Sequence, residues 1–477
     1  MTTRRNVLLG AGALALTATV TRAALRDDIA ILRQAYEQMH PGLYRYATPA
    51  EMAARFDALA AAWSRDQTQP QAYLALSHFL ATVRCGHSYA NFYNQKDAVA
   101  AALFARPDKL PFHFRWLGER MIVTAHGGEL PRGTEVTAID GRPVVEILRD
   151  LMQYARADGG NDAKRVAQLE VQGSDGYEAF DVFYGLTRNK PGEPFAVTAV
   201  APGTTAPKTL RLNPIDLTAR RAQSAKPAKG KDAPKWTFEP GAVARLTMPD
   251  WAMYNTKWDW TAFLDAAFED IARRATRTLI VDLRGNEGGN DCGDEIISRC
   301  IDADLPRRSY ERRVRYRTTP ANLDPYLDTW DPSFKNWGND AQALGNGFYR
   351  LIEKDGESRA PVKPKGPKFK GKLLVLVDAT NSSATFQFAD LVQSNRLGTL
   401  IGSPTGGNRR GINGGAFFFL RLPNSGLEAD LPLIGTFPAT PQPDAGLVPD
   451  VAVTETPADI AAGRDAVLER ALKISAA

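Results

Sequence analysis

The sequence predicts an α/β protein, and three stretches carry that prediction. Leu373-Leu374-Val375-Leu376-Val377 is a run of five apolar residues, the pattern of a strand buried on both faces. A polar corner over 378–383 interrupts it, and 384–393 then has the spacing of an amphipathic helix. Thr278-Leu279-Ile280-Val281-Asp282-Leu283 repeats the pattern: a buried strand ends in the turn Gly285-Asn286-Glu287-Gly288-Gly289, and a helix is predicted over 295–301. The first hundred residues, by contrast, have helical apolar spacing, as over 27–36 and 72–83.

The chain has 477 residues, of which 44% are hydrophobic and 24% charged, a globular composition long enough for several domains. It opens Met1-Thr2-Thr3-Arg4-Arg5-Asn6-Val7-Leu8-Leu9-Gly10, with paired arginines before a modest apolar run, and Thr21-Arg22-Ala23-Ala24 supplies a small residue for cleavage. The pattern of 1–23 resembles a twin-arginine export signal and predicts a periplasmic or secreted protein. Cleavage after Ala23 would remove Arg4, Arg5 and Arg22 and no acids, so the formal charge of +5 would fall to +2. No basic face interleaved with aromatics points to nucleic acid, and no later apolar run reaches membrane-spanning length. Three cysteines, Cys85, Cys292 and Cys300, leave at least one thiol without an internal partner.

In chain order, 25–103 reads as a helical domain. Gly86 is the predicted stop of its helix over 72–83, which leaves His87 on the loop beyond, where a histidine is either a bystander or a general base. Strands and turns dominate 108–215. Leu130-Pro131-Arg132-Gly133 and the Asp140-Gly141 hairpin turn look like the carboxylate-loop half of a PDZ domain, a module that binds extended peptides by strand addition. Lysines among Ala, Pro and Gly mark 216–235 as a linker. The remaining 236–477 alternates strands and helices around a polar excursion over 304–372, and a final helix is predicted over 458–474.

A serine between a buried strand and a helix has two readings. It is a helix N-cap, or it is an acyl-transfer nucleophile whose hydroxyl sits beside free backbone N–H groups. Neither a dinucleotide loop nor a P-loop fits the glycines at 285–289, because the G-x-G-x-x-G spacing fails and no phosphate lysine follows.

Four stretches in order then resemble the tail-specific, or C-terminal processing, serine peptidases. They are Val281-Asp282-Leu283-Arg284-Gly285-Asn286-Glu287-Gly288-Gly289, Asn381-Ser382-Ser383-Ala384, Ile401-Gly402-Ser403-Pro404-Thr405-Gly406-Gly407 and Val448-Pro449-Asp450-Val451. The resemblance implies a crotonase-like α/β peptidase core beside the N-terminal helical domain and the PDZ-like β domain. It implies Ser383 as nucleophile, and Ala384 with Gly288 or Gly289 as oxyanion donors. The family's Ser–Lys dyad is absent, since Asn408 stands at the lysine's position and no lysine occurs between Lys372 and Lys473. Gly86-His87-Ser88-Tyr89 and Thr405-Gly406-Gly407 followed by Gly411-Ile412-Asn413-Gly414 resemble the tricorn-type branch instead. That likeness implies His87 as general base, with Gly86 in place of the branch's extra serine, and Asp444 as the carboxylate that orients it. A peptide or protein would be the substrate, and no cofactor or metal is required. The competing expectations are a catalytically inactive peptide- or ligand-binding protein on the same scaffold, and a hydrolase of non-peptide esters.

Overall fold

Alternation along the strand Lys372–Val377 sorts the molecule's centre into two faces. Leu373, Val375 and Val377 join a core with Leu279, Val281, Phe268 and Phe388, while Leu374 and Leu376 meet Ile280, Ile401 and Ala471 on the other side. The computed structural model describes residues 22–63, 67–125, 129–223, 235–307, 310–352 and 360–476. The predicted export signal therefore lies outside the described residues except at its end, where Arg22 and Ala23 begin the helix Arg22–Met39. Among the described residues no helix is long and apolar enough to cross a membrane.

The central sheet runs Val451–Ala452, Thr399–Gly402, Lys372–Val377, Thr278–Asp282, Val243–Thr247, Thr237–Glu239. All its pairings are parallel except the last. Parallel neighbours need crossovers, and the helices Trp260–Arg273 and Ser383–Ser394 supply them. The Gly-rich turn after Asp282 and the corner after Val377 thus emerge side by side at the carboxyl ends of adjacent strands, where open parallel sheets hold ligands. The predicted final helix is instead two, Pro457–Ala462 and Ala466–Ala476, because Gly463 turns left-handed (φ 69°) and ends the first.

The helices Arg22–Met39, Pro49–Ala62, Gln69–Thr82 and Asp97–Phe104 share one core with two further sheets. One is antiparallel, runs from His113–Leu117 to Lys208–Leu212, and carries the helices Val144–Met152 and Asp162–Gln168 in its connections. The other contains Asn413–Arg421, Glu428–Pro438 and, from the stretch expected to be a polar excursion, Tyr310–Val314, Phe348–Leu351, Ala341–Gly345 and Leu327–Asp328. That stretch is sheet rather than surface arm. Its arginines conceal the strands in sequence: Arg313 lies 4.7 Å over the Phe437 ring and Arg315 4.7 Å over Phe348, covering apolar surface with charged side chains.

Two local expectations also change. The helix Gln69–Thr82 is stopped by Arg84 at φ 57°, not by Gly86. The predicted linker begins as a helix, Leu217–Gln223, and its continuation over 224–234 lies outside the described residues. Arg220 anchors that helix. It is 1% exposed, pairs with Asp181 at 2.8 Å and donates to Leu110 O. Arg220→Ala strands Asp181 without its cation in the core, and we expect a loss of about 3–5 kcal/mol, read as a lower denaturant midpoint. The three cysteines are all free.

Candidate active site

The corner after Val377 is held by one buried amide. Asn381 accepts from Asp378 N (2.8 Å) and donates from Nδ2 to Leu283 O (2.6 Å) and Asn286 O (3.0 Å), while its carbonyl accepts from Gly406 N (2.8 Å) and Gly407 N (3.1 Å). A single residue therefore fixes three loops: its side chain ties the corner to the Gly-rich turn, and its main-chain carbonyl holds the Thr405-Gly406-Gly407 turn. Gly285 N adds a bond to Asp378 Oδ2 (2.9 Å).

The two serines then part company. Ser382 is buried, donates to Glu287 O at 3.1 Å, and is the helix's N-cap residue by position. Ser383 is half-buried, its hydroxyl has no partner among the described residues, and its φ is 53°. A non-glycine residue in that region is strained, and a strained serine on a strand-to-helix turn is the arrangement that lifts a nucleophile clear of its own backbone. Gly288 presses on it: a Cβ there would lie 2.8 Å from Ser383 Cβ and 3.0 Å from Ala384 N. The N–H groups expected for the oxyanion differ in availability. Gly288 N is already donated to Asn286 Oδ1 at 2.9 Å, because that side chain folds back over the turn. Those of Gly289 and Ala384 have no acceptor among the described residues, the latter as expected in a helix's first turn.

His87 approaches from the helical segment. Its ring packs on Phe417 (5.7 Å between centroids) and against Gly414, and its Nδ1 is buried without a partner among the described residues. Beside it, the exposed Trp330 covers Phe417 and Phe419 (5.8 and 5.7 Å). No hydrogen bond joins His87 to Ser383. Burial holds the His87 imidazole below its ordinary value; Asp158 and Glu287 oppose that shift, and Arg156 and Lys164 add to it.

Asp444, expected to orient His87, bonds instead to Gly160 N (3.0 Å) and Asn408 Nδ2 (2.7 Å). The carboxylate at the histidine loop is Asp158, which accepts from Gly86 N at 2.9 Å. It also explains the missing serine at Gly86, since a Cβ there would meet Asp158 Oδ2 at 2.8 Å. Asn408 is buried and spends Nδ2 on Asp158 O (3.1 Å) and Asp444.

Sequence reasoning missed Arg156, Asp158 and Lys164, all from the 108–215 stretch. Lys164, whose side chain is 2% exposed, reaches Glu287 Oε1 at 2.5 Å, Thr380 O at 2.8 Å and Ser382 Oγ at 3.3 Å. Arg156 holds the other Glu287 oxygen at 3.0 Å. Burial alone would raise the Glu287 carboxyl, but these two cations hold it well below the usual range. Among the described residues no group of three or more His, Cys, Asp or Glu side chains is placed to hold a metal ion.

This arrangement can be compared with known proteins. Residues 242–416 match the model of peptidase family S41. The matched segment is similar to a peptidase family, in agreement with the resemblance read from the sequence to tail-specific and C-terminal processing peptidases. The S41 match covers the strand–turn–helix units that carry Gly288 and Ser383, and it ends inside the strand Asn413–Arg421. The structure is similar to mature CPAF complexed with lactacystin, with 14% identity, a TM-score of 0.62, and 95% of this chain and 97% of that one covered. A second structure, of mature CPAF, gives 14%, 0.58, 95% and 96%. At this identity the likeness speaks to the fold, over nearly the full length of both. No curated protein matches the chain.

Proposed function

We propose that this chain hydrolyses peptide bonds with Ser383 as nucleophile and His87 as general base. The observation that carries the proposal is the strained, unpartnered Ser383 beside Gly288. In this scheme Ser383 Oγ bonds to the peptide carbonyl carbon while its proton passes to His87. The oxyanion is held by the N–H groups of Ala384 and Gly289, each worth about 2.7–4 kcal/mol when well placed. His87 returns the proton to the departing amine as the C–N bond breaks, and water then cleaves the acyl-enzyme ester. The parallel sheet and its helices are read as a crotonase-like core. The antiparallel sheet from His113–Leu117 to Lys208–Leu212 is read as a PDZ-like unit that takes an extended peptide by strand addition. Export by a twin-arginine leader belongs to the same proposal and rests on the sequence of 1–23.

Labelling with a fluorophosphonate probe tests the site, with intact mass and peptide mapping to locate the adduct. Labelling at Ser383 that disappears in Ser383→Ala and His87→Ala is expected. Labelling that survives His87→Ala removes the histidine from the mechanism, and none in folded wild type favours a peptide-binding protein without catalysis. The base must be neutral to act. Because burial depresses the His87 pKa, the acid limb of kcat/KM should lie below pH 6.5, the ordinary histidine value. A pH profile with its acid limb above that value would contradict this.

A further inference from the structure

The segment 156–164 touches every loop of the site, although it belongs to the antiparallel unit rather than to the parallel sheet. Arg156 donates to Gly86 O, lies 4.1 Å over the Tyr89 ring and binds Glu287 Oε2 at 3.0 Å. Asp158 accepts from Gly86 N. Asn161 caps the helix Asp162–Gln168 through Lys164 N (3.2 Å), and its Nδ2 donates to Thr405 O (2.8 Å) and Gly407 O (3.0 Å). Lys164 then projects from the first turn of that helix between Glu287 and the serine corner, with its stem against Gly406.

We propose that Lys164, Glu287 and Arg156 form a positioning unit that sets the Ser383 corner and the His87 loop in register. The inference rests on the Ser383–His87 assignment above. Its geometry is a chain of fixed contacts. Lys164 Nζ holds Thr380 O and Ser382 Oγ on one side and Glu287 on the other; Glu287 passes the constraint to Arg156; and Arg156 holds the carbonyl of the residue before His87. Glu287 also immediately precedes Gly288 and Gly289, so the same contacts place the oxyanion turn. Lys164 is not a base here: its ammonium is engaged by a carboxylate at 2.5 Å, and its serine neighbour is Ser382, not Ser383. A buried ammonium is nonetheless supplied beside the Thr405-Gly406-Gly407 turn, although no lysine follows that turn in sequence. A displacement of about 1 Å at such contacts costs on the order of 10²-fold in rate.

The charges give a readout that loosened packing does not. The charged groups facing His87 are Asp158 and Glu287, which favour its protonated form, and Arg156 and Lys164, which disfavour it; Phe417 and Gly414 face it from the strand and carry no charge. Steady-state pH profiles of wild type, Lys164→Met, Glu287→Gln and the double variant, with Lys164→Arg as the conservative variant, test the unit. Lys164→Met should lower kcat about 10²-fold with little change in KM and move the acid limb to higher pH. Glu287→Gln should move the limb to lower pH, the double variant should return it toward wild type, and Lys164→Arg should keep the wild-type limb. Limbs that move the same way, or do not move, overturn the proposal, as does a loss confined to KM. If Lys164→Met does not fold, the Glu287→Gln and Lys164→Arg limbs decide alone. Absence of fluorophosphonate labelling in wild type would instead overturn the Ser383–His87 assignment, so the two failures are distinguishable.

Discussion

Replacing Ser383 by alanine should lower peptide hydrolysis by roughly 10⁶-fold, the scale seen when a serine nucleophile is removed from a cooperating set. Stability should change little. Ser383 is half-buried, its hydroxyl bonds to nothing among the described residues, and alanine occupies the same backbone region with the same strain. Ser382→Ala makes the contrast. Its hydroxyl bonds Glu287 O and receives Lys164 Nζ, so its loss removes buried hydrogen bonds but no nucleophile. Initial rates together with denaturation curves for the two variants separate the roles. A Ser382→Ala protein that is dead while Ser383→Ala retains activity would reverse the assignment.

Gly288→Ala is expected to have the second largest effect, on both stability and rate. The added Cβ would lie 2.8 Å from Ser383 Cβ and 2.8 Å from Ser382 O, against backbone that has no room to yield, at a φ of 106° that side chains seldom adopt. Overpacking and backbone strain together cost about 2–5 kcal/mol, and the shifted corner should lose on the order of 10²-fold in kcat. Gly285→Ala is the control on the same turn. Its φ of 84° is also left-handed, but a Cβ there meets nothing within 4 Å, so only the strain remains, about 1 kcal/mol. Equal effects at the two glycines would show that conformation, not the approach to Ser383, sets the cost.

The parallel sheet was legible because its signals are local. Runs such as Leu373 to Val377 have nowhere to go but a doubly covered strand, and the pair Ser382-Ser383 is visible where such a run turns into a helix, the choice between them coming from the resemblance alone. His87 was legible only as a histidine past a helix, and the left-handed stop at Arg84 was not, since nothing about an arginine announces φ 57°. Lys164 and Arg156 were hidden for a different reason. In a polar stretch they look like solvated charges, and their burial depends on Glu287, more than a hundred residues away. Asp158 was hidden on the same account: sequence order put Asp444 forward to orient His87 and could not say that Asp158 is the carboxylate that meets Gly86 N, while Asp444 meets Gly160 N. The strand Tyr310–Val314 was lost because arginines stacked on rings imitate a surface.

The strands Asn413–Arg421 and Glu428–Pro438 follow the nucleophile in sequence, yet their side chains complete the core of the N-terminal helices. Tyr36, from the first of those helices, hydrogen-bonds the carbonyl of Asp430. The polypeptide is therefore sewn back through itself. A fragment made of 236–477 alone would bare one apolar side of a long two-stranded ribbon and be prone to aggregate, while the complementary fragment would lack the strands that complete its core. Neither would hold both Ser383 and His87. Mixing the two during refolding, rather than trimming the chain to its catalytic stretch, is the route by which separate pieces could regain a complete site.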